Sequence, residues 1–217
     1  MTTTAPASPS PRFIYLASKS PRRQELLRQI HVDFRLLLPE DHEDAEALEA
    51  TRPGEAPASY VKRVVLAKLD AARARLTRQA LPWAPVLSAD TTVALGGTLL
   101  GKPADAAQAA SMLSRLSGRT HRVLTAVAVG DAHHTDWVVQ VSRVSFARLS
   151  PADIDAYVAG GEPFDKAGGY GIQGTAGAFV RKIEGSHSGI MGLPLHETSR
   201  LVLKALARSG PAQPAGS

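Results

Sequence analysis

The 217-residue chain contains no cysteine, which excludes disulfides and thiolate metal centres and leads us to expect a cytoplasmic location. Aromatic residues make up only 5%, and the arginines are spread along the chain. No stacking platform interleaved with basic residues is visible, so a stable nucleic-acid partner is not expected. No apolar run approaches the ~20 residues of a membrane span, so no membrane association is expected either. The first residues, Met1 to Pro11, are rich in Thr, Ala, Pro and Ser and lack an apolar core. They read as a disordered lead-in, not a secretory signal, and the Pro/Gly/Ala/Ser tail from 209 to 217 reads the same way.

What is present is ordinary for a globular protein. Hydrophobic residues are 44% of a 22.9 kDa chain, enough for a sizeable core. The formal charge is +5, a balance that suits small polyanionic ligands as well as any other partner. Seven of the 18 glycines fall between Gly160 and Gly177. The seven histidines show no metal-binding spacing.

The stretch that organises the rest is Phe13-Ile14-Tyr15-Leu16-Ala17-Ser18-Lys19-Ser20-Pro21-Arg22-Arg23. Its apolar run predicts a buried strand, and Leu26, Leu27 and Ile30 predict a helix after it. Ser20 suits the N-cap, and Pro21 the first helical position. A strand leading through a polar turn into a helix aims free amides and a positive dipole end at one place. Ser18, Lys19, Ser20, Arg22 and Arg23 surround that place, and an oxyanion, phosphate above all, fits it. The alternative is a solvated helical turn, but cations there oppose the macrodipole unless an anion lies between them.

Further along, Phe34 to Leu38 reads as a strand, and Glu40 to Glu49 as an acidic segment. Ser59 is the expected cap of a helix running to about Gln79. Val86 to Ala89 reads as a short buried strand, followed by a hairpin from Thr92 to Leu100 turning at Gly96-Gly97. Asp105 opens a helix that Gly118 stops. Two strands, 121–129 and 138–146, a helix capped by Ser150, a strand at 179–183, a glycine-containing loop and a last helix after Pro194 complete the chain. Helices and strands alternate, but two hairpins break strict βαβ order. The expected class is α/β with a mixed sheet.

Ser88-Ala89-Asp90-Thr91-Thr92 puts a carboxylate at the end of the short strand, where open α/β sheets keep their ligands. Asp90 could serve a divalent ion or a water as general base, or it could be a turn residue bonding its own backbone. The segment Phe164-Asp165-Lys166-Ala167-Gly168-Gly169-Tyr170-Gly171-Ile172-Gln173-Gly174 allows close backbone approach to a ligand, or is simply a flexible loop.

Ser18-Lys19-Ser20-Pro21-Arg22-Arg23, Ala89-Asp90-Thr91…Gly101-Lys102-Pro103, the glycine segment, and Gly185-Ser186-His187…Met191-Gly192-Leu193-Pro194-Leu195 together resemble the motifs of the Maf family. Its members are nucleoside triphosphate pyrophosphatases once named for septum-formation inhibition. The resemblance runs from about Phe13 to Leu206 and is to the branch that cleaves dTTP and UTP. It implies an inosine-triphosphatase-like fold at 12–208, with two lobes around a central cleft, usually as a homodimer. It further implies hydrolysis to the monophosphate and pyrophosphate with Mg²⁺ or Mn²⁺, modified pyrimidine nucleotides included. Roles in nucleotide-pool sanitation and cell-division arrest go with the family. By motif position, Asp90 is the expected proton acceptor and a metal ligand. Ser18, Ser20, Arg22, Arg23, Lys68, Thr91, Lys102 and Gln173 are expected at the substrate. Lys68 sits on the side of its helix expected to be exposed, where a solvated lysine is the alternative. The acidic segment should supply a metal carboxylate, with Glu43 aligning best among Glu40, Asp41, Glu43 and Asp44. The competing functions are a nucleotide-responsive septation regulator and a nucleic-acid binder without turnover. Asp90 speaks against both, because a pure binder of polyanions gains nothing from negative charge beside its phosphate site.

Overall fold

The computed structural model describes residues 12–44 and 47–209, so the expected tails at 1–11 and from 210 onward lie outside the described residues. Its strands are Ile14–Leu16 (β1), Phe34–Leu36 (β2), Val86–Leu95 (β3), Thr98–Leu100 (β4), Thr120–Gly130 (β5), Thr135–Phe146 (β6) and Val180–Glu184 (β7). Its helices are Pro21–Gln29 (α1), Pro57–Arg78 (α2), Ala106–Leu116 (α3), Pro151–Ala159 (α4), His187–Met191 (α5) and Leu195–Arg208 (α6). The strands form one mixed seven-stranded sheet in the order β2-β1-β3-β5-β6-β7, with β4 paired to β3. β1 runs parallel to β2 and β3. Every pairing from β3 to β7 is antiparallel. The α/β class with a mixed sheet is therefore as the alternation of elements and the hairpins implied.

Alternation along the strands divides the core between the two faces of the sheet. Val86, Ala94, Ala126 and Ala128 pack against Val61, Val64, Val65, Leu69 and Ala72 of α2. Leu87, Ala89, Val127 and Val129 point the other way, onto Leu26 and Leu27 of α1 and Val202 and Ala205 of α6. A third cluster gathers Leu113 and Leu116 of α3, Ile154 and Tyr157 of α4, and Tyr170 and Ile172 of the glycine segment around Val93, Val123 and Phe146. Leu69 and Leu87 are fully buried, and truncating either to Ala should cost about 2–5 kcal/mol. Among the described residues no helix is long and apolar enough to cross a membrane.

Local differences from the sequence reading have simple causes. α2 begins at Pro57 with Ala56 at the N-cap, three residues ahead of the Ser59 expected there, because proline is pre-set for the first turn. The loop expected around His187 contains α5, capped by the Ser186 hydroxyl and ended by Gly192 at φ 118°. The largest difference is β3, which runs unbroken for 10 residues through Asp90. The polar run Ser88-Ala89-Asp90-Thr91-Thr92 looked like a strand end, but β5 pairs with all of it and holds it extended.

Candidate active site

The other edge of β3 explains how Asp90 can be mid-strand and still reach Lys68, which borders the second cavity, although Asp90 lines neither cavity itself. β1 pairs with Val86 and Leu87, and β4 pairs with Val93 to Leu95. Between those two short neighbours the edge has no strand partner among the described residues, and Asp90 lies in that gap. Successive side chains then point to opposite faces. Ser88 Oγ donates to Val65 O of α2 at 2.9 Å, and Asp90, on the same face, accepts from Lys68 Nζ of α2 at 2.6 Å. Thr91, on the other face, accepts from Arg23 of α1 at 3.3 Å.

Arg23 is the hub on that second face. Its Nε donates to Gly192 O at 2.9 Å and its NH1 to Ser18 Oγ at 3.2 Å. Thr125 Oγ1 spends its proton on Gly189 O at 2.7 Å. Thr91 therefore donates to Thr125 at 3.0 Å and is left to accept from Arg23. Burial lowers the Arg23 guanidinium below its ordinary pKa, and nearby Asp90 pulls it back up. Ser20 occupies the α1 N-cap in extended conformation, but its hydroxyl makes no capping bond, and its N–H donates to Ser18 Oγ at 3.2 Å. Helix capping thus leaves the Ser20 hydroxyl free for another partner.

Lys68 is turned inward, with its side chain only 18% exposed. Its ammonium bridges Asp90 and Glu49, the latter at 2.7 Å. Glu49 also faces Lys102 Nζ at 3.7 Å. Burial pushes the Glu49 carboxyl up, but Lys68, Lys102 and Arg23 together outweigh it and hold its pKa below the usual range. Glu43 is differently placed. Arg75 bonds both of its oxygens and Arg78 bonds one, and the hydrogen bond from Arg75 drops its pKa to about 2. Glu40, His42 and Glu43 form the one group of three close metal-type donors among the described residues. Arg78 and Gln79 already bond the Glu40 oxygens.

The glycine segment is stitched to the rest of the site. Gly168 N–H donates to Gly101 O at 2.9 Å, beside Lys102. Gly168 has φ 74°, and a Cβ there would come within 2.9 Å of Val93 Cγ2, so only glycine fits. Glu162 links α4 to the far end of the segment, accepting from Tyr157 OH and from Thr175 N–H, each at 3.0 Å. Tyr170 bonds buried His121 Nε2 at 2.7 Å.

These parts enclose two adjoining cavities. The first, about 370 Å³, lies between the α1 N-terminus and the third core cluster. Its apolar end is lined by Val93, Val123, Tyr170 and Ile172, and its polar end by Lys19, Arg22 and Lys102. The second, about 520 Å³, lies against Ser18, Lys68 and the acidic segment. Lys19, Ser20, Arg23, Glu49 and Lys102 border both. A cationic end, an apolar end and a carboxylate beside them suit a ligand with several phosphates and a flat base.

Sequence comparison agrees with that geometry. The profile of the family described as Maf-like protein matches residues 13–205. The chain belongs to the Maf-like family. It is 60% identical over 202 residues to the dTTP/UTP pyrophosphatase of Burkholderia pseudomallei, covering 92% of this chain and 96% of that one. It is 58% identical over 190 residues to the dTTP/UTP pyrophosphatase of Albidiferax ferrireducens, covering 88% and 95%. For the dTTP/UTP pyrophosphatase of Cupriavidus pinatubonensis the figures are 56% over 196 residues, covering 90% and 98%.

Of the residues expected from the Maf-like motifs, Ser20, Arg22, Arg23, Thr91, Lys102 and Gln173 line the first cavity. Ser18 and Lys68 line the second, and Lys68 bonds Asp90. Gln173 is exposed at the rim of the first. Arg22 leans towards Asp165, 3.5 Å away. Glu43 borders the second cavity, but its oxygens are taken by arginines. The acidic-segment residue that reaches the Asp90–Lys68 pair is Glu49, which the motif reading passed over. Glu49 meets Lys68 across 19 residues and through no local spacing rule, so no sequence signal singled it out. Thr125 and Glu162 were missed for the same reason.

Proposed function

We propose that this chain hydrolyses dTTP and UTP to the monophosphate and pyrophosphate, with modified pyrimidine triphosphates as further candidates. Family membership and relatives named for that activity support the substrate class. The observation that favours turnover over mere binding is Asp90, a carboxylate 6% exposed beside a cationic cleft. A binder of polyanions would be weakened by it.

In this reading the base enters the apolar end of the first cavity, and the phosphates lie along Lys19, Arg22, Arg23, Lys68 and Lys102. Those cations stabilise the charge that develops on the departing pyrophosphate. Asp90 orients the attacking water and accepts its proton. Ser18 and Ser20 supply hydroxyl donors to phosphate oxygens.

A divalent ion fits the donor chemistry. Asp90 gives one oxygen to Lys68, while its Oδ2 makes no hydrogen bond among the described residues. Hard oxygen donors of this kind suit Mg²⁺ or Mn²⁺. Asp90 is the carboxylate we propose for it, and Glu43 serves only if Arg75 and Arg78 release it. When bound, such an ion offsets phosphate charge and polarises the P–O bonds. A substrate drawn from the nucleotide pool places the activity in the cytoplasm and makes pool sanitation its consequence. The proposed homodimer rests on family resemblance, and light scattering at twice the 22.9 kDa chain mass would support it.

The test is a panel of dTTP, UTP, CTP, GTP and 7-methyl-GTP with Mg²⁺, scored as kcat/KM for pyrophosphate release. Preference for dTTP and UTP is expected. Preference for GTP or 7-methyl-GTP would overturn the substrate assignment.

A further inference from the structure

We infer that His121 is a positioning residue for the base end of the cleft: through its hydrogen bond to Tyr170 it fixes the wall against which the substrate base lies. The inference rests on the pyrimidine triphosphate reading of the first cavity and gives a role to a buried side chain that lines neither cavity.

Three observations carry it. The first is contact. His121 Nε2 is 2.7 Å from Tyr170 OH, and the two rings meet edge-on with centroids 5.4 Å apart. Tyr170 lines the apolar end of the first cavity together with Val93 and Val123. His121 stands two residues before Val123 on β5 and on the same face, so it braces that wall from behind.

The second is what the pair costs. His121 is 1% exposed, and its Nδ1 is buried with no hydrogen-bond partner among the described residues. Burial lowers the imidazole to about 4 and raises the Tyr170 hydroxyl above its ordinary value, so both are uncharged at neutral pH. One proton then sits on the imidazole and one on the hydroxyl, and their mutual bond uses only one of them. A buried polar group left unpaired lowers stability. Apolar rings could pack beside Phe146, whose centroid is 5.0 Å from His121 and 4.8 Å from Tyr170, without that penalty. The bond therefore serves to fix position and not to gain stability.

The third is what the bond restrains. Gly168 and Gly169, at φ 74° and 72°, lead into Tyr170 and leave the backbone there a wide choice of conformations. Gln173, at the rim of the same cavity, follows three residues later. One anchored ring between them sets both wall and rim. Released, the hydroxyl regains hydrogen bonds by turning towards the open cavity, which moves the ring into the space for the base.

The test is steady-state kinetics of the full chain with dTTP and Mg²⁺, with inhibition by dTMP and by inorganic pyrophosphate measured separately. The proteins are the wild type, His121→Leu, Tyr170→Phe, the double variant and His121→Gln. Losing one hydrogen bond at the wall should raise KM and the dTMP inhibition constant about three- to tenfold in His121→Leu and in Tyr170→Phe. The pyrophosphate constant should stay within about twofold, and kcat should change less than KM. The double variant should be no worse than either single one, because both remove the same bond. His121→Gln, whose amide can take the place of Nε2, should restore dTMP inhibition to within about twofold of the wild type. A purely structural role would lower Tm and the active fraction, hence kcat, and leave the dTMP constant where it was. Unchanged dTMP inhibition in a folded His121→Leu overturns the inference, and so does equal weakening of dTMP and pyrophosphate. If His121→Leu does not fold, Tyr170→Phe, which keeps the ring and removes the same bond, decides the point by the same two constants. A wild type that dTMP does not inhibit would sink the reading of the base end, and the inference with it.

Discussion

Replacing Asp90 by Asn removes one negative charge and leaves the shape of the side chain unchanged. The Asn carbonyl can still accept from Lys68 Nζ, which lies 2.6 Å from Oδ1, and Lys68 keeps its second partner, Glu49, at 2.7 Å. The side chains of Asp90 and Lys68 are 9% and 18% exposed. Deleting one partner of a pair this buried would cost ~3–5 kcal/mol. Asn keeps a neutral hydrogen bond and the ammonium stays paired, so the loss should be about 1–2 kcal/mol. In a domain of this size that lowers Tm by about 2–8 °C. The rate should fall far more, by ~10²–10⁴-fold, because Asn can neither take a proton nor hold an ion as a carboxylate does. Thermal melts and pyrophosphate release, measured on the same preparation, separate the two effects. A variant with near-normal melting and near-normal rate would refute the assignment of Asp90.

Two further perturbations probe the surroundings. Burial holds the His121 imidazole down at about 4, against ~6.5 in an unfolded chain. Between these values the unfolded state binds more protons, so His121 makes stability fall as pH drops from about 6.5 to 4. In His121→Leu that part of the fall should vanish from urea midpoints at pH 7 and pH 4.5, and an unchanged slope would contradict the burial argument. Gln173 is exposed at the cavity rim, so its contribution to base choice should sit at the low end for a hydrogen bond, ~1 kcal/mol or about fivefold in kcat/KM. Gln173→Ala should lower dTTP and UTP turnover relative to CTP and GTP. Equal losses for all four would mean that it only holds the loop.

The parts of the fold set by local rules could be read from the sequence. Ser20-Pro21 started α1, Asp105 capped α3, and Ser150 formed a capping box with Asp153 at α4. Gly96, at φ 60°, made the β3–β4 turn. What escaped was set by pairing across the chain. Asp90 looked like a strand end because its neighbours are polar, yet β5 carries the strand straight through. Lys68 could be expected at the substrate or solvated on its helix, and only the gap in the β3 edge shows what draws it inward. Glu43 aligned as the metal carboxylate, but Arg75 and Arg78 on α2 reach it first. The site was legible as motifs, and its internal wiring required the folded sheet.

The most direct test of the account is the identity of the products from dTTP. With Mg²⁺ present, the purified chain should yield dTMP and inorganic pyrophosphate in equal amounts, separated by anion exchange, and a chelator should stop the reaction. Formation of dTDP and orthophosphate would contradict it.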